Sequence, residues 1–334
     1  MMRNLKRRWH NCAKSTNAHN DFLRDMGNRI ATRAAFGEAL LEVGKQHENI
    51  VTVDADLQGS TKTKAFAKAF PHRAFNVGIA EQGLVATAAG LAIAGKKPFA
   101  CTFAVFLTGR AYDQIRTSVA ISELPVVLVG SHAGILTGED GATHQALEDI
   151  GLMRALHGMM VLHPADAAET KACVRYAATC KHPVYLRLGR SGVPVIFEEN
   201  TKFEIGKVRQ ITEGTDIVVF ATGPLVASSL MAAKKLEKEI SVRVVNVSCL
   251  SPLDTEGVKK ALQGVKKVIT AEDHSVKNGL GSAIAEVMAE NGVSAPLYRH
   301  GMHGFGESGS GMDLYKKYKF DAGGMEEVIR EVWK

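Results

Sequence analysis

Short apolar runs alternate with longer helix-patterned runs along most of this 334-residue chain. Ile50-Val-Thr-Val-Asp-Ala-Asp, Phe99-Ala-Cys-Thr-Phe, Pro125-Val-Val-Leu-Val-Gly and Val184-Tyr-Leu-Arg-Leu are short and apolar enough to be strands covered on both faces. Between them lie helix patterns from near Ile30 through Val43, from Thr61 to Phe70 (stopped by Pro71), from Glu81 to Ala94, from Ala111 to Ala120 and from Ala165 to Thr179. A chain that alternates in this way must build a parallel sheet with helices on both faces. A second alternating set follows a less patterned stretch. Its strands are Asp216 to Gly223, Ser241 to Val247 and Lys267 to Glu272, and its helices are Leu225 to Glu239, Asp254 to Leu262 and Gly281 to Glu290. The pattern predicts two three-layer α/β/α domains, over residues 28–195 and 213–334, joined by a linker over 196–212. Residues 1–27 are polar, basic and irregular, the signature of a flexible extension.

Composition narrows the classes of function. Hydrophobic residues make up 46% and charged residues 23%, ordinary for a water-soluble globular protein. Gly or charge interrupts every apolar run, so neither a signal-peptide core nor a membrane span is expected. The net charge of +6 comes partly from the basic leader, and the rest is well mixed. That disfavours nucleic acid and suits a small anionic substrate. The five cysteines are scattered without metal-type spacing, which implies reduced thiols and a cytoplasmic setting.

Glu81 heads a segment, Glu-Gln-Gly-Leu-Val-Ala-Thr-Ala-Ala-Gly-Leu-Ala, in which nearly every other residue is small or apolar. A carboxylate there is expected to be buried. Buried without a partner, it costs several kcal/mol or takes up a proton. Glu81 is therefore expected to have a specific partner, one that shares a proton.

The richest chemical cluster is Ser131-His-Ala-Gly-Ile-Leu-Thr-Gly-Glu-Asp-Gly-Ala-Thr-His-Gln-Ala-Leu-Glu-Asp. It follows a predicted strand, and α/β proteins place ligands at the carboxyl ends of strands. His132, Asp140 and His144 sit on a backbone freed by Gly134, Gly138 and Gly141, and could bind hydroxyls or shuttle their protons. A hydrogen-bonded surface loop is the bland alternative. Zinc is a third reading, disfavoured because no helix presents these residues at HxxxH spacing. Phe103 and Phe106, three apart after another strand, can share one face, as ligand platform or as core. Arg33, Ser60 and Arg190 are candidate anion contacts, since a guanidinium donates two parallel hydrogen bonds to phosphate. For any one arginine, a solvated surface position is the competing reading. Gly304-Phe-Gly-Glu-Ser-Gly matches a dinucleotide fingerprint, but a charged helix pattern over Met312 to Tyr318 follows where a strand ending in an acid is needed. It is expected to be a turn before a helix.

Gly78-Ile-Ala-Glu-Gln-Gly, Thr102-Phe-Ala-Val-Phe and Gly138-Glu-Asp-Gly-Ala-Thr-His-Gln, in this order, resemble the pyrimidine-binding and C-terminal domains of transketolase, over about residues 29 to 334. The resemblance implies a thiamine-diphosphate enzyme that transfers a two-carbon ketol unit between sugar phosphates. It implies that Glu81 hydrogen-bonds N1′ of the cofactor's aminopyrimidine, that Phe103 and Phe106 enclose that ring, and that Asp56 lies near the cofactor. It assigns His132, Asp140 and His144 to the donor's hydroxyls, with His132 and His144 catalytic beside Glu81. Arg33, Ser60 and Arg190 match a phosphate-binding set.

Two departures stand out. The third aromatic of the family pattern is Gly109 here, and the Gly-Asp-Gly motif that holds the diphosphate through a metal is missing. The resemblance therefore implies the C-terminal subunit of a split transketolase with no metal ligands of its own. Mg²⁺ (or Ca²⁺) would be held by an N-terminal partner subunit, and self-association through the pyrimidine-binding domain would give a heterotetramer. Three alternatives compete: a deoxyxylulose-phosphate synthase-like enzyme, the β subunit of a 2-oxoacid dehydrogenase, and a non-catalytic regulatory subunit. The first usually has an acid where His132 stands. The histidines of the loop disfavour the second, and the joint presence of Glu81, His132, Asp140 and His144 disfavours the third.

Overall fold

The computed structural model describes residues 28–334, so the leader over 1–27 lies outside the described residues. Seven strands form the first sheet, in the spatial order Cys249–Ser251, Met160–Leu162, Val184–Arg187, Val127–Ser131, Lys97–Phe103, Ile50–Asp54 and Ala74–Asn76. All neighbours run parallel except Cys249–Ser251, which pairs antiparallel with Met160–Leu162. The predicted central strands form because their apolar residues are buried on both faces, and the helices Thr32–Gln46, Glu81–Ile93 and Ala167–Thr179 cover them.

The second sheet has five strands, in the order Leu297–Met302, Lys267–Ser275, Ile217–Ala221, Val242–Asn246 and Arg209–Gln210. Helices Leu225–Leu236, Thr255–Leu262, Leu280–Glu290 and Ala322–Trp333 accompany it. Arg209–Gln210 belongs to the stretch read as linker, yet it pairs with Val242–Asn246. Two residues are too few to leave a periodic signal. Cys249–Ser251, from the second alternating set, crosses to edge the first sheet. A ribbon of Arg29–Ala31 with Gly192–Pro194 ties the start of the first unit to its end.

Two helix readings need correction. The single helix expected over Thr61 to Phe70 is broken into Gln58–Thr61 and Lys64–Ala69, because Lys62 adopts a left-handed φ of 68°. The helix expected to start at Ala111 begins earlier. Ala104–Arg110 is helical, followed by Tyr112–Gln114 and a wider π-helical stretch, Ile115–Ala120. This places Phe106 and Arg110 one turn apart on one helix.

One buried ion pair joins the two units. Arg187, fully buried at the end of its strand, grips Asp149 through Nε (2.7 Å) and Nη2 (3.2 Å). Nη2 also donates to the carbonyls of Ala146 and, from the second sheet, Asp273, each at 3.0 Å. Nη1 faces Nε2 of His163 at 3.2 Å, and His163 Nδ1 meets Thr222 Oγ1 of the second unit. Burial, and then the Arg187 charge, push the His163 pKa well below its usual value, so the ring is neutral and accepts from the guanidinium. Burial alone would raise the Asp149 pKa, but Arg187, His274 and Tyr185 together hold it below the usual carboxylate range. Arg187→Met strands Asp149 as a buried unpaired charge and should lower stability by about 3–5 kcal/mol. Urea denaturation measures this, and a loss under about 1 kcal/mol would show that the pair does not hold the units together.

Candidate functional site

Strand register sets the site. Phe103 lies beside Ser131 at the carboxyl ends of adjacent strands, and Gly130 lies beside Arg187 one strand further. Phe103 closes its strand and Phe106 falls in the first turn of the next helix, so their rings stack at 5.7 Å and 19°. The His132 ring stacks on Phe103 at 3.8 Å. His144 stands edge-on to Phe106 at 5.2 Å and to Phe103 at 6.1 Å. The aromatic pair is therefore continuous with the Gly-rich loop and is not sealed in the core.

His132 takes a left-handed φ of 57°, a conformation a non-glycine residue rarely adopts and that clusters at ligand sites. Its Nε2 lies 3.4 Å from Arg33 Nη1, and its Nδ1 lies 2.9 Å from Ser131 Oγ. A guanidinium only donates, so Nε2 is assigned as the acceptor and Nδ1 carries the proton toward Ser131. Burial, then the charges of Arg33 and Arg190, lower the His132 pKa to about 3. The same residue therefore bears on acid stability. Below about pH 6.5 the unfolded chain gains a proton here that the folded chain refuses until about pH 3, so this term removes stability as pH falls.

The anion candidates converge on that histidine. Arg33 donates to the Ser60 carbonyl (2.9 Å) and to the Arg190 carbonyl (3.1 Å). It is Ser60's backbone, not its hydroxyl, that Arg33 meets. Arg190 Nη1 donates to the Thr137 carbonyl at 2.6 Å and lies 3.3 Å from Glu139 and 3.4 Å from Asp140. His144 Nδ1 is 2.9 Å from Thr143 Oγ1. Arg33, Ser60, His132, Asp140, His144 and Arg190 thus line one continuous surface with the Phe pair. Arg187, three residues before Arg190, is instead consumed by the buried node between the sheets.

Glu81 is buried (6% exposed) in the first turn of its helix, where the macrodipole favours a negative charge. The partner expected from sequence was one that shares a proton. Within the chain the partner is a cation, Arg110, whose Nη1 lies 3.1 Å from Glu81 Oε1. The Arg110 guanidinium also lies 4.1 Å over the Phe106 ring, while the space beside Gly109 stays open. A concavity of about 420 Å³ opens beside them, lined by Ile79, Ala80, Glu81, Gln82, Gly83 and Arg110. Sequence reasoning missed Arg110. The signal was its spacing of four from Phe106, hidden because the helix was placed about two turns too late.

Asp56 is exposed, with φ 61°, and pairs with the Asn76 amide at 3.2 Å rather than with the aromatic pair. Its neighbour Asp54 is buried and accepts from Thr61, Thr63 and the Leu57 amide, a structural role. Among the described residues no group of three or more His, Cys, Asp and Glu is placed to hold a metal. The chemistry present fits the aminopyrimidine group that the resemblance implies: a buried carboxylate at an open concavity, next to stacked aromatic rings. His132 should stay neutral from pH 8 to about pH 4. Nitrogen NMR of the imidazole checks this, and titration near pH 6.5 would contradict its burial beside two arginines.

Residues 28–195 match the family of the transketolase pyrimidine-binding domain, and residues 206–325 match that of the transketolase C-terminal domain. A chain of Methanocaldococcus jannaschii, designated a transketolase C-terminal section, is 45% identical over 306 residues, covering 90% of this chain and 96% of that one. A 6-deoxy-6-sulfo-D-fructose transketolase subunit of Clostridium sp. is 39% identical, over 89% of this chain and 92% of that one. A solved split-gene transketolase, an inactive beta4 tetramer, superposes with a TM-score of 0.84 at 46% identity, over 91% of this chain and 98% of that one. The chain belongs to the transketolase family and carries that family's pyrimidine-binding and C-terminal domains.

Proposed function

We propose that this chain is the C-terminal subunit of a two-chain, thiamine-diphosphate-dependent transketolase that moves a two-carbon ketol unit from a ketose phosphate to an aldose phosphate. The observation that carries this reading is the stack of His132 on Phe103, which makes the aromatic platform and the polar loop one surface. Near end-to-end similarity to a split-gene transketolase chain supports the two-chain form. Residues 28–195 and the stretch from about 206 onward act as the two domains, since Arg209–Gln210 already belongs to the second sheet.

Thiamine diphosphate, when bound, supplies the carbon nucleophile that cleaves the ketose. In this chain, Phe103 and Phe106 would enclose its pyrimidine ring and Glu81 would hold a proton at N1′, for which Glu81 must leave Arg110. Asp56 lies exposed two residues past the end of Ile50–Asp54, the strand next to the one that carries Phe103. His132, neutral and buried, can accept a hydrogen bond from a donor hydroxyl at Nε2, the nitrogen that faces Arg33, and His144 and Asp140 orient the neighbouring hydroxyls. Arg33, Arg190 and the Ser60 segment would bind the phosphate, displacing Arg190 from Glu139 and Asp140. Mg²⁺ (or Ca²⁺) would come with an N-terminal subunit that binds the diphosphate.

Self-association is proposed through the helix Glu81–Ile93. Its outer face of Gln82, Gly83, Ala86, Gly90 and Ile93 is exposed in the single chain, with Ile79 beside it. The assembly proposed is a heterotetramer, and the free, mostly buried cysteines among the described residues suit a cytoplasmic setting.

The test is reconstitution. The chain alone should show no ketol transfer, and activity should appear on addition of an N-terminal transketolase subunit, thiamine diphosphate and Mg²⁺. Turnover by the chain alone would sink the two-chain reading. Glu81→Gln should lower kcat in the mixture by roughly 10²–10⁴-fold. Near-normal turnover would remove Glu81 from its role. Arg190→Ala should raise KM for a phosphorylated donor about 10- to 100-fold with a smaller change in kcat. An unchanged KM would count against phosphate binding there.

A further inference from the structure

The Gly-rich loop is closed at its base by its own backbone. Gly134 N–H donates to the Ala146 carbonyl at 3.0 Å, and Ala133 bridges Ala146. Its outer part has no such internal ladder. The short helical turn Ile135–Asp140 starts from Gly134, which has no side chain to cap it. The cap comes from the other sheet, where Asp273 Oδ1 accepts from Ile135 N–H at 2.9 Å. Tyr315, fully buried, orients that carboxylate with its hydroxyl at 2.9 Å. Gly134 is required here twice. Its φ is +76°, and a Cβ would overlap the Asp273 carboxylate.

The turn Gly304-Phe-Gly-Glu-Ser-Gly, left without a role by its failed nucleotide fingerprint, grips the loop's far end. Gln145 Nε2 reaches the Glu307 carbonyl at 3.0 Å while also facing the loop's own Ile135 and Gly138 carbonyls at 3.4 and 3.3 Å. Gln145 is buried, and its Oε1 lies where a Cβ on Gly306 would sit. Gly141 leaves room for Ser308, and Gly138 lies against Gly309 and Gly311. Glycines on both partners thus allow close backbone approach. His132, Asp140 and His144 all lie within or beside the segment gripped in this way.

We propose that the Gly304–Gly309 turn, Gln145 and Asp273 are positioning residues that clasp the Gly-rich loop, so that the C-terminal unit sets the geometry of the donor-sugar site. The inference rests on the function proposed above for the substrate half of its test only.

The variant is Gly306→Ala in the full chain, with Gly304→Ala as matched control, since a Cβ at 304 meets nothing within 4 Å. Mass-spectrometric amide exchange over residues 133–147 of the chain alone should quicken roughly three- to tenfold in Gly306→Ala, the loss of about one net hydrogen bond, and not in Gly304→Ala. In the reconstituted enzyme, with xylulose 5-phosphate as donor and ribose 5-phosphate as acceptor, donor KM should rise by a similar factor and kcat should change less. Wild-type exchange in Gly306→Ala overturns the clasp. Faster exchange with unchanged KM overturns its bearing on the sugar. Should Gly306→Ala fail to fold, Gln145→Ala removes the same grip from the other side and is held to the same outcomes. If the wild-type pair shows no ketol transfer, the functional reading falls and exchange alone decides the clasp.

Discussion

The Arg187–Asp149 pair is the interaction on which the rest of the architecture hangs. A fully buried charge pair is tolerated only when hydrogen bonds satisfy what the pair itself leaves over. Here the guanidinium spends its remaining donors on the root of the Gly-rich loop at Ala146, on His163 and on the second sheet at Asp273. Three parts of the molecule are thus referred to one planar group, and the directions in which that group can donate fix their mutual orientation.

From that node the site follows by register. A parallel sheet presents all its strand ends on one side, so Phe103 and Ser131 emerge as neighbours, and His132 lands on the Phe103 ring. Burying an imidazole between an aromatic face and two arginines keeps it neutral, which makes it an acceptor where a cation would be repelled by Arg33 and Arg190. Glu81 shows the opposite solution. Its negative charge is met by Arg110 at the rim, a half-exposed and therefore weak partner that a better one can replace.

Local pattern made much of this legible. Strands buried on both faces announce themselves as apolar runs, and the Gly-rich loop with its two histidines and acid was visible as a cluster. What stayed hidden has physical reasons. Arg209–Gln210 and Cys249–Ser251 are too short to carry a period, and they are strands only because a neighbour supplies the ladder. The split at Lys62 turns on one backbone angle. The helix Ala104–Arg110 was obscured by Val105, Thr108 and Gly109, which are poor helix formers and leave only a weak helical signal over seven residues. Contacts such as Asp273 to Ile135 join residues remote in sequence, and no local rule reaches them.

The crossing strand Cys249–Ser251 carries a consequence for how such a chain can be divided. It completes the edge of the first sheet with residues from beyond the linker, covering Met160–Leu162. One apolar cluster likewise runs from Val53 and Leu84 to Phe220 and Ile284 without a break at the sheet boundary. A polypeptide severed near residue 205 would expose a raw sheet edge, a template for unwanted pairing, and would leave half a core on each fragment. The two domains are thus modular in pattern but inseparable in practice. Labour can be shared with another polypeptide outside this pair of sheets, and not between them.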